Sequence, residues 1–226
     1  WEKKFNCQYN HHVEGHFVQQ TTDGGYIIAG IHNGLSMGNN AWLIKTDSNG
    51  NEEWIQSFGG FYYGFAYVQQ TNDGGFIIAG TGPSENPYEN IHILKTDPNG
   101  NEEWDQYFYC GHTKFIQQTD DGGYIIIGNQ YQIPFFGCDD YSDNVIWLIK
   151  TDPNGNEEWN QTINVMSFIS PVISAQKTFD GGYIITGRTG TIGNQFIMTI
   201  KTDPNGNEMW NQKFYFNHGV GFSIQQ

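Results

Sequence analysis

Charge is scarce in this chain, and positive charge is scarcest. Charged residues make up 15% of the sequence, and 10 Lys and Arg stand against 24 Asp and Glu, for a net charge of −14. A field of that sign repels phosphate backbones and excludes nucleic acid as a natural partner. No run of about 18 apolar residues exists, so no segment is expected to insert in a membrane. Cys7, Cys110 and Cys138 are the only cysteines. Three are too few for a disulfide scaffold, and at most one internal bridge can form. No secretory leader pattern is visible, and the chain opens on Trp1 rather than Met, which suggests a processed or trimmed product. Nucleophile-elbow, phosphate-loop and zinc-protease motifs are missing, so no catalytic residue is assigned and the chain is expected not to be an enzyme.

What the sequence has instead is glycine, aromatics and repetition. There are 29 Gly, and aromatics reach 16%. This composition favours short strands and tight turns over helices. An Asp-Gly-Gly element recurs at Asp23, Asp73, Asp121 and Asp180, with spacings of 50, 48 and 59. Each copy is preceded by a Gln and followed by an apolar run such as Phe76-Ile77-Ile78-Ala79-Gly80. A second element, Lys-Thr-Asp-Pro-Asn-Gly-Asn-Glu-Glu-Trp, ends at Trp54, Trp104, Trp159 and Trp210. Ser48 replaces its Pro in the first copy, and Met209 replaces its second Glu in the last.

Each unit predicts four strands. Strand A is the Val68-Gln69-Gln70 type, B the Tyr26-to-Gly30 type, C the Trp42-Leu43-Ile44-Lys45 type, and D the Trp54-to-Phe58 type. Strands B and C are near-continuous apolar runs, as expected for strands covered on both faces, whereas D alternates like an outer strand. Asp97-Pro98-Asn99-Gly100 has the residue order of a type I turn closed by a left-handed glycine, a three-residue hairpin loop. Asp73-Gly74-Gly75 supplies the tight turn between A and B. Repeated four-stranded units of this length indicate an all-β fold, a β-propeller of antiparallel blades.

These motifs resemble the repeats of large secreted bacterial and archaeal propeller proteins. The Asp97, Gly100, Trp104 core is also similar, more loosely and with a turn shorter by one residue, to the tryptophan-docking motif of quinoprotein dehydrogenase propellers. The resemblance implies an extracellular or cell-surface location. It also implies a structural role for Trp54, Trp104, Trp159 and Trp210, packed between blades. It implies no quinone, and no cofactor or metal is expected.

The whole chain, 1–226, is expected to be one propeller domain with repeats near 16–58, 66–108, 114–163 and 173–214. Residues 1–5 match strand D and residues 222–226 match strand A, so the ends form half of a split fifth blade. Three arrangements fit: a piece of a longer propeller, a ring of four with spare edges, or spare strands pairing with neighbouring copies, since unpaired edges are templates for another chain.

In such a blade the A–B and C–D turns share one end, and the B–C and D–A connections share the other. The first set is short and uniform; the second varies in length and composition, and recognition usually resides in variable loops on a fixed scaffold. The turn end gathers acids such as Asp152 and Glu158, a solvated rim. Their Asp-x-Asn-x-Asn-x-Glu spacing offers oxygens for calcium, but hairpin formation accounts for it as well. The paired glutamines, Gln69 and Gln70 among them, are expected to line the channel side. The variable end gathers aromatics and histidines. Tyr62, Tyr63, Phe65, Tyr131, Phe135 and Tyr141 are candidates for stacking on sugar rings or anchoring a protein, with His112 and His218 in equivalent positions beside them. Cys110 and Cys138 are a candidate disulfide pinning the long loop of the third unit, and Asn160-Gln161-Thr162 is an N-glycosylation triplet. The expected function is recognition or adhesion, with a glycan or protein ligand. The alternative is a structural subunit that assembles with copies of itself.

Overall fold

The computed structural model describes residues 13–33, 39–59, 61, 65–82, 90–130, 144–167, 172–191 and 194–215. Among them there are sixteen strands and no helix. Among the described residues, therefore, no helix is long and apolar enough to cross a membrane. The split-blade segments 1–5 and 222–226 lie outside the described residues.

The strands fall into four antiparallel sets of four. The first is β1 (Val13–Gln20), β2 (Tyr26–Asn33), β3 (Asn39–Thr46) and β4 (Glu52–Phe58). The second is β5 (Phe65–Gln70), β6 (Phe76–Gly82), β7 (Asn90–Thr96) and β8 (Glu102–Phe108). The third is β9 (Gly111–Gln118), β10 (Tyr124–Gln130), β11 (Asn144–Thr151) and β12 (Glu157–Ser167). The fourth is β13 (Val172–Lys177), β14 (Tyr183–Thr191), β15 (Asn194–Thr202) and β16 (Glu208–Phe214). This is the all-β propeller architecture of blades that the repeat predicts. A single parallel bridge, Ser167 to Gly190, joins the third and fourth sets into one sheet. The chain clusters into two compact units: Trp1–Tyr109 with Ile116–Gly122, and Cys110–Phe115 with Gly123–Gln226.

Burial follows the repeat. Every residue of β6 and β7 is buried, while β4 and β8 are exposed at their start and half-buried along their length. In the first unit Ile27, Ala29, Ala41 and Leu43 of the first blade pack with Val68, Phe76, Ile78 and Leu94 of the second, and Trp54 lies against that core. Trp54 also meets the turn glycine of the next blade. A Cβ on Gly100 would stand 2.8 Å from its Cζ3. In the second unit Trp159 meets Gly206 in the same way, at 2.9 Å. These two tryptophans therefore dock between blades through a glycine that leaves room for the ring.

The C–D loop closes as its residues predict. Asp97 N donates to Asn101 O at 2.9 Å, Gly100 N donates to Asp97 O at 3.1 Å, and Gly100 has φ of +79°. The Asp97 carboxylate accepts from the backbone N–H groups of Asn99 and Asn101 and from the Asn101 amide, each at 2.8 Å. Asp47, Asp152 and Asp203 repeat the pattern. The loop's own donors thus occupy the carboxylates whose spacing suggested calcium.

The A–B turn needs both of its glycines, for different reasons. Gly74 carries φ of +85°, a left-handed conformation. Gly75 lies against strand C, where a Cβ would collide with the Thr96 carbonyl oxygen and stand 2.7 Å from Lys95 Nζ. Gly25, Gly123 and Gly182 meet the same two groups of their own blades. Backbone cannot yield there as a side-chain tip can. Gly75→Ala is therefore expected to destabilise by at least about 3 kcal/mol, and Gly74→Ala by about 1–2 kcal/mol, in urea unfolding. Equal costs would contradict the close-approach role of Gly75.

Candidate functional site

At the turn end each blade buries a lysine. Lys45, Lys95, Lys150 and Lys201 are buried although they follow directly on apolar strand residues. Lys45 Nζ donates to Asp23 of the A–B turn at 2.7 Å, to Glu53 of strand D at 2.8 Å and to the Thr46 carbonyl at 2.9 Å. Lys95 is held by Asp73, Glu103 and Thr96 O, all within 2.9 Å. In the last blade Met209 stands where the others have Glu, and Lys201 keeps Asp180 and Thr202 O. Burial alone would depress the Lys45 pKa, but the bonds to Asp23 and Glu53 outweigh it and raise the value. Asp23 is driven well below the usual carboxylate range by its bonds from Lys45, Thr21 and Gly25 N. This cluster joins the A–B turn to the C–D hairpin, which places both turns at one end of the blade.

The paired glutamines clasp neighbouring blades. Gln70 N donates to Gln19 Oε1 at 3.0 Å, and Thr22 N donates to Gln70 Oε1 at 2.8 Å. Gln118 N with Gln69 Oε1, and Asn72 N with Gln118 Oε1, repeat the exchange at 2.8 Å. Their amides are thus committed to backbone partners. Between the turns of the first two blades lies an open cleft of about 580 Å³, bordered by Asp23, Glu53, Trp54, Gln70 and Asn99.

Most of the variable end falls outside the described residues: Tyr62, Tyr63, Tyr131, Phe135, Tyr141 and His218 among the candidate ligand contacts, and Cys138 of the candidate disulfide. Phe65 opens β5 opposite Gly80. His112 is half-buried in β9, where burial, aided by the nearby Lys114 charge, pushes its pKa down to about 4. Trp54, Trp104 and Trp159 are half-buried, whereas Trp210 is exposed. Cys110, at φ of +66°, is disulfide-bonded, with Cys7 and Cys138 the other two cysteines of the chain. Asn160 is exposed on β12, and its amide donates to Glu157.

Sequence reasoning passed over His92. In the repeat its place is held by Trp42, Trp147 and Met198, and the histidine that interrupts this apolar series is the signal that marks it. His92 is 1% exposed. Its Nε2 lies 3.0 Å from Oδ2 of Asp105, and its ring stacks between Phe61 at 4.3 Å and Tyr107 at 4.1 Å. In the third blade the corresponding contact is Trp147 Nε1 donating to Asn160 Oδ1 at 3.4 Å. The second blade thus exchanges a neutral indole–amide contact for a histidine–carboxylate pair. Burial, together with the Asp105 charge, pushes the Tyr107 phenol up to about 12. The half-exposed Asp105 connects this buried ring stack to solvent.

Two acid-range effects follow. His112 takes up a proton near 6.5 when unfolded but near 4 when folded. Stability is therefore expected to fall by about 2 kcal/mol, discounted for partial exposure, as pH drops through that window, and His112→Gln to remove this component. Asp180 is depressed from 3.8 to about 2 by its bonds from Thr178, Lys201 and Gly182 N. Its contribution is present above 3.8 and is lost as pH falls towards 2. Thermal melts followed by circular dichroism from pH 8 to 2 check both, and an unchanged slope between 6.5 and 4 in His112→Gln contradicts the first.

No family model and no curated protein matches this chain. Solved structures do. One is a protein of unknown function from Dyadobacter fermentans, 12% identical, with a TM-score of 0.55 over 89% of this chain and 69% of that one. Another is CoXyl43, a GH43 β-xylosidase/α-arabinofuranosidase from a compost microbial metagenome, 13% identical, with a TM-score of 0.53 over 96% of this chain and 82% of that one. At such identities the likeness is one of fold. It nevertheless corrects the expectation that the chain is not an enzyme. That expectation treated the missing motifs as decisive, yet a glycoside hydrolase is built on this same fold, and carboxylate catalysis requires none of those motifs. The chain shares a β-propeller fold with a glycoside hydrolase and with a protein of unknown function.

Proposed function

We propose that this chain is an extracellular recognition propeller that binds a glycan or protein ligand through the connections opposite its uniform turns. One observation carries the reading: the two ends of the blades differ in kind. At the turn end the four blades repeat nearly the same hydrogen bonds, residue for residue. Away from it they diverge, with His92 and Asp105 in the second blade and the Cys110 disulfide at the start of the third. A constant scaffold bearing dissimilar loops is how propellers present a binding surface. The disulfide supports the extracellular placement, because such bonds persist in oxidising compartments.

Tyr62, Tyr63, Phe65, Tyr131, Phe135 and Tyr141 supply the aromatic side chains for stacking on sugar rings or for anchoring a protein, with His112 and His218 beside them. A glycan array and a proteome-wide protein array, both probed with the purified chain, test the reading. Xylo-oligosaccharides belong on the glycan array because the CoXyl43 structure holds xylotriose. Binding is expected to weaken at least about tenfold in Tyr62→Ala/Tyr63→Ala. It is expected to be unchanged in Asn99→Ser at the turn end. Release of free sugar from a bound oligosaccharide would add turnover to recognition. Absence of binding on both arrays, or binding lost only in the turn-end variant, contradicts the proposal.

A further inference from the structure

The fourth blade leaves exposed the side chains by which the first and third blades meet the blade that follows them. Two positions of the outer strand carry that contact. One is the tryptophan. Trp54 and Trp159 lie over Gly100 and Gly206 of the following blade, and Trp54 also meets the Phe76 ring edge-on at 5.7 Å. The other lies four residues on, where Phe58, Phe108 and Ile163 are each 8% exposed. Phe58 belongs to the core that includes Val68, Phe76 and Ile78 of the second blade. In β16 these positions hold Trp210 and Phe214, which are 44% and 47% exposed. The face is also more apolar than its counterparts. Met209, 59% exposed, stands where the other blades have Glu, and Phe179, 94% exposed, stands where they have Thr22, Asn72 and Asp120. A repeat with no neighbour needs a polar outer face for solubility. This one is apolar, and an exposed patch of that kind is a contact surface.

We propose that this face is the seat of a β-hairpin of the chain's own repeat type, a B and C strand pair leading into the Asp-x-Asn-Gly turn. The contacts of the inner blades select that occupant. Covering Trp210 as Trp54 and Trp159 are covered takes a turn glycine, because a Cβ at Gly100 or Gly206 would stand 2.8 or 2.9 Å from the ring. It also takes an aromatic residue at the start of strand B, the place of Phe76. Covering Phe214 as Phe58 is covered takes the apolar run that follows, the place of Ile78. Backbone amides set the register. Thr22 N donates to Gln70 Oε1 and Asn72 N to Gln118 Oε1, and the fourth blade has Phe179 in that place. Ile224-Gln225-Gln226, outside the described residues, repeats the sequence Ile116-Gln117-Gln118 and brings the matching glutamine. The hairpin therefore enters in register with that segment, and it covers the face of the blade rather than pairing with the edge of β16.

Calorimetric titration of the purified chain with a peptide copying residues 71–104, which holds both strands and the Gly100 turn, tests the proposal. Circular dichroism confirms that each chain variant folds. One peptide is expected to bind per chain. Trp210→Ala is expected to weaken binding at least about tenfold. Met209→Glu restores the residue of the inner blades, and binding is expected to survive it, as loose adsorption to an apolar patch would not. In a second measurement the same segment is joined directly after Gln226, which continues the Gln70-Thr71 register. The melting temperature is expected to rise by several degrees, and Gly100→Ala within the added copy to abolish the rise. The fused chain decides where the free peptide does not bind. The proposal is overturned by a fused chain that melts no higher than its parent, or by peptide binding that Trp210→Ala leaves intact or Met209→Glu abolishes. It is also overturned by a parent chain that dimerises through Trp210 and so excludes the peptide.

Discussion

A buried ammonium ion organises each blade of this protein. Lys95 sits among apolar strands, where an unpaired charge would cost several kcal/mol, and the sequence surrounds it with Asp73 from one turn, Glu103 from the next strand and the Thr96 carbonyl. That requirement fixes much else. The glycine after Asp-Gly exists because Lys Nζ and the Thr carbonyl occupy the space a Cβ would take. The A–B turn must lie beside the C–D hairpin, because both supply a ligand to the same cation. The last blade shows how far the cluster tolerates loss. With Met209 in place of Glu, Lys201 is still held by Asp180 and a carbonyl.

Tied down in this way, the turn end has little freedom to diversify. Its aspartates are saturated by loop N–H groups, its glutamines are spent on neighbouring backbones, and Trp54 and Trp159 fill the gaps over glycines. Variation is left to the far ends of the strands and to the outer strands. There a histidine–carboxylate pair replaces an indole–amide contact, a cysteine forms a disulfide, and one strand of the four has no net charge. The division between a constrained end and a free one is the physical basis for proposing ligand recognition on the second.

Repetition made the scaffold legible. The three-residue C–D loop could be read from Asp-Pro-Asn-Gly, because its residues lie within a few positions of one another, whereas the packing of tryptophan between blades came from the resemblance, since Trp54 meets Gly100 of the next blade. His92 was harder to see. Its chemistry depends on Asp105, thirteen residues away on the next strand, and on Phe61, thirty-one residues back, and no motif links these three. The glutamine pairs were visible, but their partners were not. Their hydrogen bonds cross between blades, from Gln19 to Gln70, and a single unit gives no hint of what its neighbour presents.

From the sequence alone came the all-β class, the four-stranded unit and the conformations of its turns. These are decided by local φ preference and by alternation of polar and apolar residues, which each segment carries within itself. Tertiary structure alone decided that four lysines are buried, that the histidine of the second blade is stacked and paired, and that the last tryptophan stands exposed while two of its counterparts dock. Burial and pairing are set by what lies across the blade or on the next one, and that neighbour exists only once the chain has folded.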